Sequence, residues 1–323
     1  MKMPILVLCC AVLFGCSKSP DAEREAIEKS AAQGNAAAQC NLGVMYENGE
    51  GVPKDAAKAV EWHQKAAAQG HAEAQFNLGV MYANGEGVPK DDAKAVEWWA
   101  KAAAQRHAEA QFNLGVMYDN GRGVPKDDAK AVELYQKAAA QGRAKAQYNL
   151  GVRYANGEGV PKDDAKAVEL YQKAAAQGKA AAQYNLGAMY YTGRGVPKDE
   201  VKAVELYQKA AAQGDAKAQY NLGHMYANGE GVPKDEAKAV EWYQKAAAQG
   251  NAKAQCILGL MYDIGISVPK DDIRAYAWLN LAAAQGDSEA ANLRDGLGKQ
   301  MSAEQKAQAQ KLSAELFEKM PKR

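Results

Sequence analysis

The chain has 323 residues and is 47% hydrophobic, and its 40 Lys+Arg against 39 Asp+Glu leave a formal net charge of +1. The sequence carries no basic stripe for nucleic acid and no acidic tail. The length alone would suit two ordinary domains, but an internal repeat overrides that count.

Residues 1–15 stand apart from the rest. Lys2 is the sole charge ahead of an apolar run from Ile5 to Phe14, too short to cross a bilayer as a helix. The run ends in Leu13-Phe14-Gly15-Cys16, a small residue before a cysteine, and resembles a bacterial lipoprotein signal. The resemblance implies a lipid-modified Cys16 as the mature N-terminus. Ser17 after it, in place of Asp, implies sorting to the outer membrane. An ordinary secretory signal cut nearby is the alternative. Residues 16–21 then form a short membrane tether, in which Ser17 to Asp21 reach about 18 Å at roughly 3.5 Å per residue. No later segment approaches a transmembrane run.

Residues 22–34, ending Ala31-Ala32-Gln33-Gly34, read as the second helix of a truncated leading copy. From there the chain repeats every 36 residues. Gly43, Gly79, Gly115, Gly151, Gly187, Gly223 and Gly259 keep that spacing, as do Pro53, Pro89, Pro125, Pro161, Pro197, Pro233 and Pro269. A period of this size marks stacked units, each burying its neighbour's apolar face. Full copies run 35–70, 71–106, 107–142, 143–178, 179–214, 215–250 and 251–286.

In the copy at 215–250, Asp215 stands at an N-cap and a helix is predicted over 216–228, with Ala218, Leu222, Met225 and Tyr226 on one apolar face. Gly223 falls mid-helix, where glycine costs roughly 1 kcal/mol against Ala. Its return in every copy predicts the close approach of another helix backbone. Gly229 ends the helix, Gly231-Val232-Pro233 makes a turn, and Asp235 caps a second helix running to Gln249. On that helix Ala239, Trp242, Tyr243 and Ala246 face inward, while Glu241 and Lys245 pair outside.

Cys40 and Cys256 share one repeat position six units apart. Packed helices lie about 8–10 Å apart and a disulfide needs Cα atoms within about 7 Å. Unpaired, buried thiols are therefore expected. Residues 287–323 make a C-terminal helical cap: Ser302 and Gln305 form a capping box before an amphipathic helix with Ala307, Leu312, Leu316 and Phe317.

The string Ala218-Gln219-Tyr220-Asn221-Leu222-Gly223-His224-Met225-Tyr226 is followed by Gly229-x-Gly231-Val232, Asp235, Lys238-Ala239, Trp242-Tyr243 and Lys245-Ala246-Ala247-x-x-Gly250. It resembles the SEL-one-like repeat, a longer relative of the tetratricopeptide repeat, over about residues 22–290. The resemblance implies an all-α fold: a right-handed superhelical solenoid of helix-turn-helix repeats. First helices would line its concave side and bind partners there. It implies no enzyme.

The search for chemistry is mostly negative. His63, His71, His107 and His224 include no pair at metal-ligand spacing, and His71 and His107 read as surface decoration. The Gly-x-Gly of each turn lacks the strand and Lys-Ser/Thr of a phosphate loop. Cysteine-rich relatives of the repeat have been linked to β-lactamase or penicillin-binding activity, but the cysteine pair in each of their repeats is absent here. One S-x-x-K match, Ser267-Val268-Pro269-Lys270, has no S-D-N or K-T-G beside it. No catalytic residue, metal or cofactor is expected.

For binding, Asn41, Asn77, Asn113, Asn149, Asn185 and Asn221 form a ladder on the first helices, broken by Ile257. It can hydrogen-bond an extended peptide or join neighbouring units. The column Phe76, Phe112, Tyr148, Tyr184 and Tyr220 reads better as packing between units than as a groove lining. Three departures fall in successive units: Arg153 in place of Met, Tyr191 in place of Ala, Asp or Glu, and His224 in place of Val, Ala or Leu. They make one recognition patch or are drift.

The expected function is an envelope lipoprotein, facing the periplasm at the outer membrane, that binds a protein or peptide on a preformed surface. A hydrolase of β-lactam or peptidoglycan-like substrates and a structural organiser of an envelope complex are the rivals. Neither partner identity nor oligomeric state is legible.

Overall fold

The computed structural model describes residues 20–321; Cys16 and the signal segment lie outside them. The chain divides into two units. The first, Met1–Lys126, holds α1 (Pro20–Ala32), α2 (Ala36–Asn48), α3 (Ala56–Ala68), α4 (Ala72–Asn84), α5 (Asp92–Ala104) and α6 (Ala108–Asn120). The second, Asp127–Arg323, begins with α7 (Asp128–Ala140), α8 (Ala144–Asn156), α9 (Asp164–Ala176), α10 (Ala180–Thr192) and α11 (Glu200–Ala212). It continues with α12 (Ala216–Asn228), α13 (Glu236–Ala248), α14 (Ala252–Ile264), α15 (Asp272–Ala284), α16 (Ser288–Gln300) and α17 (Ala303–Lys319). The fold is an all-α solenoid of helix hairpins, with no strand among the described residues.

Each hairpin is built from the same local chemistry. The first helix ends on a left-handed glycine, such as Gly229 at φ 75°, whose N–H donates to the Met225 carbonyl. The Asp235 side chain then accepts from Lys238 N to cap the second helix, and its own N–H donates to the Tyr226 carbonyl at 2.8 Å. That last bond pins the turn to the helix it came from. The core forms between successive copies: Ala182, Leu186 and Met189 of α10 pack with Ala167, Val168, Tyr171 and Ala174 of α9.

The link between copies also ends on a left-handed residue. Gly142, Gly178, Gly214 and Gly250 fill it with φ of 82–88°, whereas Arg106 holds the place at φ 65°. A side chain there clashes with its own backbone, at about 1–2 kcal/mol. Arg106→Gly is expected to raise stability by about 1 kcal/mol, read as a higher denaturant midpoint; an unchanged or lower midpoint would count against strain at this link.

The mid-helix glycines are occupied differently from the expectation of a nearby helix backbone. A Cβ on Gly151 would lie 2.7 Å from Tyr171 Cε1, and one on Gly223 2.8 Å from Tyr243 Cδ1. The same seat holds Trp99 over Gly79 and His63 over Gly43. A flat ring from the second helix of the same hairpin lies on the bare backbone. At Gly187 the Ala203 carbonyl also approaches, and at Gly259 Leu279 takes the place of the ring, beside the Ala275 carbonyl.

A polar ladder runs through the core of each unit. Gln183 is buried; its Nε2 donates to the Ala175 carbonyl at 3.2 Å, and its Oε1 accepts from Gln213 Nε2 at 2.8 Å. Gln39, Gln75, Gln147, Gln219 and Gln255 make the same two bonds. Each glutamine therefore ties its helix to the end of the preceding second helix and to the C-cap of its own hairpin.

Cys40 and Cys256 are free and buried, and burial pushes their thiols up to about 12 and about 11. Lys245 rests 4.1 Å over the Trp242 ring, which is half-buried. Where leucine replaces the tryptophan, Lys137 and Lys173 reach Glu133 and Glu169 instead. At the C-terminal end, Ser302 and Gln305 do form a capping box. The buried stripe of α17 is Ala309, Ser313, Leu316 and Met320, while Ala307 and Phe317 point to solvent. Of the expected face, Leu316 packs against the core and Leu312 is half-buried, so half of it is turned inward.

Candidate functional site

Two of the three departures from the repeat meet. Tyr191, at the end of α10, and His224, on α12, line one recess with Tyr207 of α11 and with Tyr220, Asn221 and Met225 of α12. Its volume is about 160 Å³, similar to a cavity of on the order of 150 Å³ that takes up one benzene. One side chain fits. The Tyr191 hydroxyl donates to Glu230 Oε2 at 2.9 Å, and His224 Nδ1 lies 3.5 Å from the same oxygen. Asn228 Nδ2 lies 3.1 Å from His224 Nε2 and 3.5 Å from Glu230 Oε1. Burial, and then the bond to Glu230, push the Tyr191 hydroxyl above its ordinary value, so it stays a donor.

Arg153 does not line this recess. Its guanidinium is mostly buried against two carboxylates, Glu158 Oε2 at 2.7 Å and Asp128 Oδ1 at 3.4 Å. A charged group in the place of a buried methionine is held by pairing within its own unit. Tyr191 and His224 share the recess, and Arg153 stands outside it.

In the asparagine ladder, Asn41 is exposed and Asn77, Asn113, Asn149, Asn185 and Asn221 are half-buried. Asn149, Asn185 and Asn221 hydrogen-bond the hydroxyls of Tyr135, Tyr171 and Tyr207 on the second helix of the preceding copy. Asn221 also bonds the Tyr184 hydroxyl; an amide offers two donors and two lone pairs, so one or two tyrosine bonds leave capacity toward a ligand. Tyr148, Tyr184 and Tyr220 tilt against Tyr171, Tyr207 and Tyr243 at 5.8–5.9 Å between centroids. These pairs lie within one hairpin, so the column packs inside copies as well as between them.

His71 and His107 are helix caps and not decoration. Their Nδ1 atoms accept from Ala74 N and Ala110 N at 3.3 and 3.2 Å. An accepting Nδ1 leaves the proton on Nε2, which in His107 donates to Glu73 Oε2 at 3.0 Å. That bond holds the Glu73 carboxyl below its ordinary range. The His107 ring also stacks on Phe76 at 4.7 Å. His63 is wholly buried with neither ring nitrogen hydrogen-bonded, and its Nε2 is 3.8 Å from Glu47 Oε2.

Ser267 occupies the turn at φ 56°, where other copies carry glycine, and its hydroxyl donates to Glu236 at 2.7 Å. Lys270 pairs with Asp272 at 3.5 Å. The S-x-x-K match therefore spends its hydroxyl and its ammonium on separate structural contacts. Among the described residues no group of three or more His, Cys, Asp or Glu could hold a metal ion.

Seven segments, 36–71, 72–107, 108–142, 144–179, 180–215, 216–251 and 252–287, match the Sel1 repeat. The crystal structure of a Sel1 repeat protein from Oxalobacter formigenes is similar at 38% sequence identity, over 87% of this chain and 82% of that one, with a TM-score of 0.68. The protein c5321, a protective antigen of uropathogenic Escherichia coli with an SLR fold, is 32% identical over 93% of this chain and 80% of its own, with a TM-score of 0.46. No curated protein matches the chain. With repeat, hairpin and buried ladder recurring through seven matched segments, the chain belongs to the Sel1 repeat family.

Proposed function

We propose that this chain is a protein- or peptide-binding scaffold of the bacterial cell envelope, anchored by lipid at Cys16 in the outer membrane and facing the periplasm. The observation that carries the binding reading is the recess of Tyr191, Tyr207, Tyr220 and His224. It forms where two first helices break a pattern kept in the other copies, and its walls belong to rigid, packed helices. A preformed surface lowers the ordering cost of binding. The remaining amide capacity of the asparagine ladder extends that surface to a peptide backbone. The anchor is supported by Leu13-Phe14-Gly15-Cys16-Ser17 alone.

A photocrosslinking residue placed at exposed Thr192, beside the recess, tests this in intact cells against the same residue at exposed Lys209 of α11. Discrete adducts from position 192 and none from 209 are expected. In the same cells the protein should partition with membranes and Cys16→Ser should release it. Equal adducts at both positions, or none at either, would overturn the binding reading; equal partitioning of wild type and Cys16→Ser would overturn the anchor.

A further inference from the structure

We propose that the recess takes one basic side chain, Arg or Lys, of the bound peptide, with Glu230 as its counter-charge. The proposal deepens the scaffold reading and rests on it.

The chain contains its own precedent. Glu158 and Glu230 occupy the same turn position two copies apart, and Arg153 and Met225 the same position on the preceding helix. In the earlier copy the turn glutamate is met by the chain's own guanidinium at 2.7 Å. In the later copy the methionine brings no charge, and a recess wide enough for one side chain is lined by Tyr191 and His224, both of which contact the Glu230 carboxylate. Glu230 is contacted there by the Tyr191 hydroxyl, by Asn228 and by His224. Lys198, whose charge acts on Glu230, is committed to Glu200 at 2.7 Å. Glu200 and Glu230 both act on Tyr191.

The walls suit a cation as well. Tyr191, Tyr207 and Tyr220 line it, and a cation over an aromatic face is attracted by about 0.5–2 kcal/mol, more as water is excluded. The Tyr191 ring already draws Lys198 to 5.8 Å from its centroid. An apolar group would strip water from Glu230 without replacing its bonds, which is costly. An acidic group would be repelled. A guanidinium or ammonium both fills the space and pairs the carboxylate.

The test uses the full chain in detergent and a displayed library of random twelve-residue peptides as probe. Recovered peptides are expected to share Arg or Lys at one position. A synthetic copy with norleucine there should bind about tenfold or more weakly. Glu230→Gln should weaken the basic peptide by a similar factor, leave the norleucine peptide unchanged, and melt like the wild type. Met225→Arg, copying the Arg153 arrangement, should close the recess from within and also lose the basic peptide; should it fold poorly, Glu230→Gln carries the test alone. Peptides without a basic preference, or basic peptides indifferent to Glu230→Gln, overturn the pocket and leave the scaffold standing. Failure to recover any peptide above an unrelated control overturns both.

Discussion

Gly151→Leu is expected to lower the unfolding free energy by about 3 kcal/mol, the upper part of the range for overpacking a tight site. Even the first added carbon would lie 2.7 Å from the Tyr171 ring. That ring cannot swing aside, because it is buried and its hydroxyl is tied to Asn185 of the next copy. Displacing it therefore breaks a contact between copies as well as one within a hairpin. Gly296 supplies the control: it lies inside α16 with nothing within 4 Å of a Cβ. Gly296→Ala should gain up to about 1 kcal/mol from helix propensity. Thermal and urea melts of the two variants should move in opposite directions. A Gly151→Leu melt at or above wild type would refute close packing at the glycine column.

Gln183→Leu is the second large effect, with a loss of about 1–3 kcal/mol. The substitution keeps bulk and removes two hydrogen bonds, each worth about 0.5–1.5 kcal/mol. The Ala175 carbonyl keeps a donor in Gly178 N, and Gln213 Nε2 keeps a long contact to the Lys209 carbonyl, so neither is fully orphaned and the loss stays within that range. Gln183→Glu should cost more, since a buried carboxylate would face the Ala175 carbonyl with no donor to offer it. Measured midpoints for Gln183→Leu equal to wild type would mean that the ladder is dispensable.

Helix bounds were legible because each is written by its ends: Asp215 and Gly229, or Asp235 and Gly250, bracket the 36-residue period on the sequence itself. Who fills the space over a glycine was not. The period says that Gly151 needs room but not that a ring twenty residues on will take it. The glutamine ladder escaped for a related reason. A polar residue inside an apolar pattern is first read as a surface position, and only its return at every copy, beside a second glutamine at every C-cap, would have marked it as buried and paired. His107 hid as a cap because histidine is an uncommon one. The recess was half visible: Tyr191 and His224 stood out as departures, while Glu230 did not, since most copies carry a charge there and its meeting with Tyr191 comes from the stacking of hairpins. Arg153 stood out equally, and its guanidinium pairs with two carboxylates outside the recess.

The glutamine ladder also governs how such a chain changes length. Each rung reaches back 8 residues to a carbonyl and is met from 30 residues ahead. One residue inserted inside a helix, between a glutamine and its partners, would turn that glutamine about 100° away from them and break the bonds of that copy. A whole 36-residue copy inserted or removed leaves all of those separations intact. The helices α7 and α9 share the sequence DAKAVELYQKAAA, so one can stand in for the other at a junction between copies without any change of contacts along the helix. Such a molecule gains or loses surface in whole copies, and a length variant of 287 or 359 residues, one copy either side of 323, should keep the same register and fold.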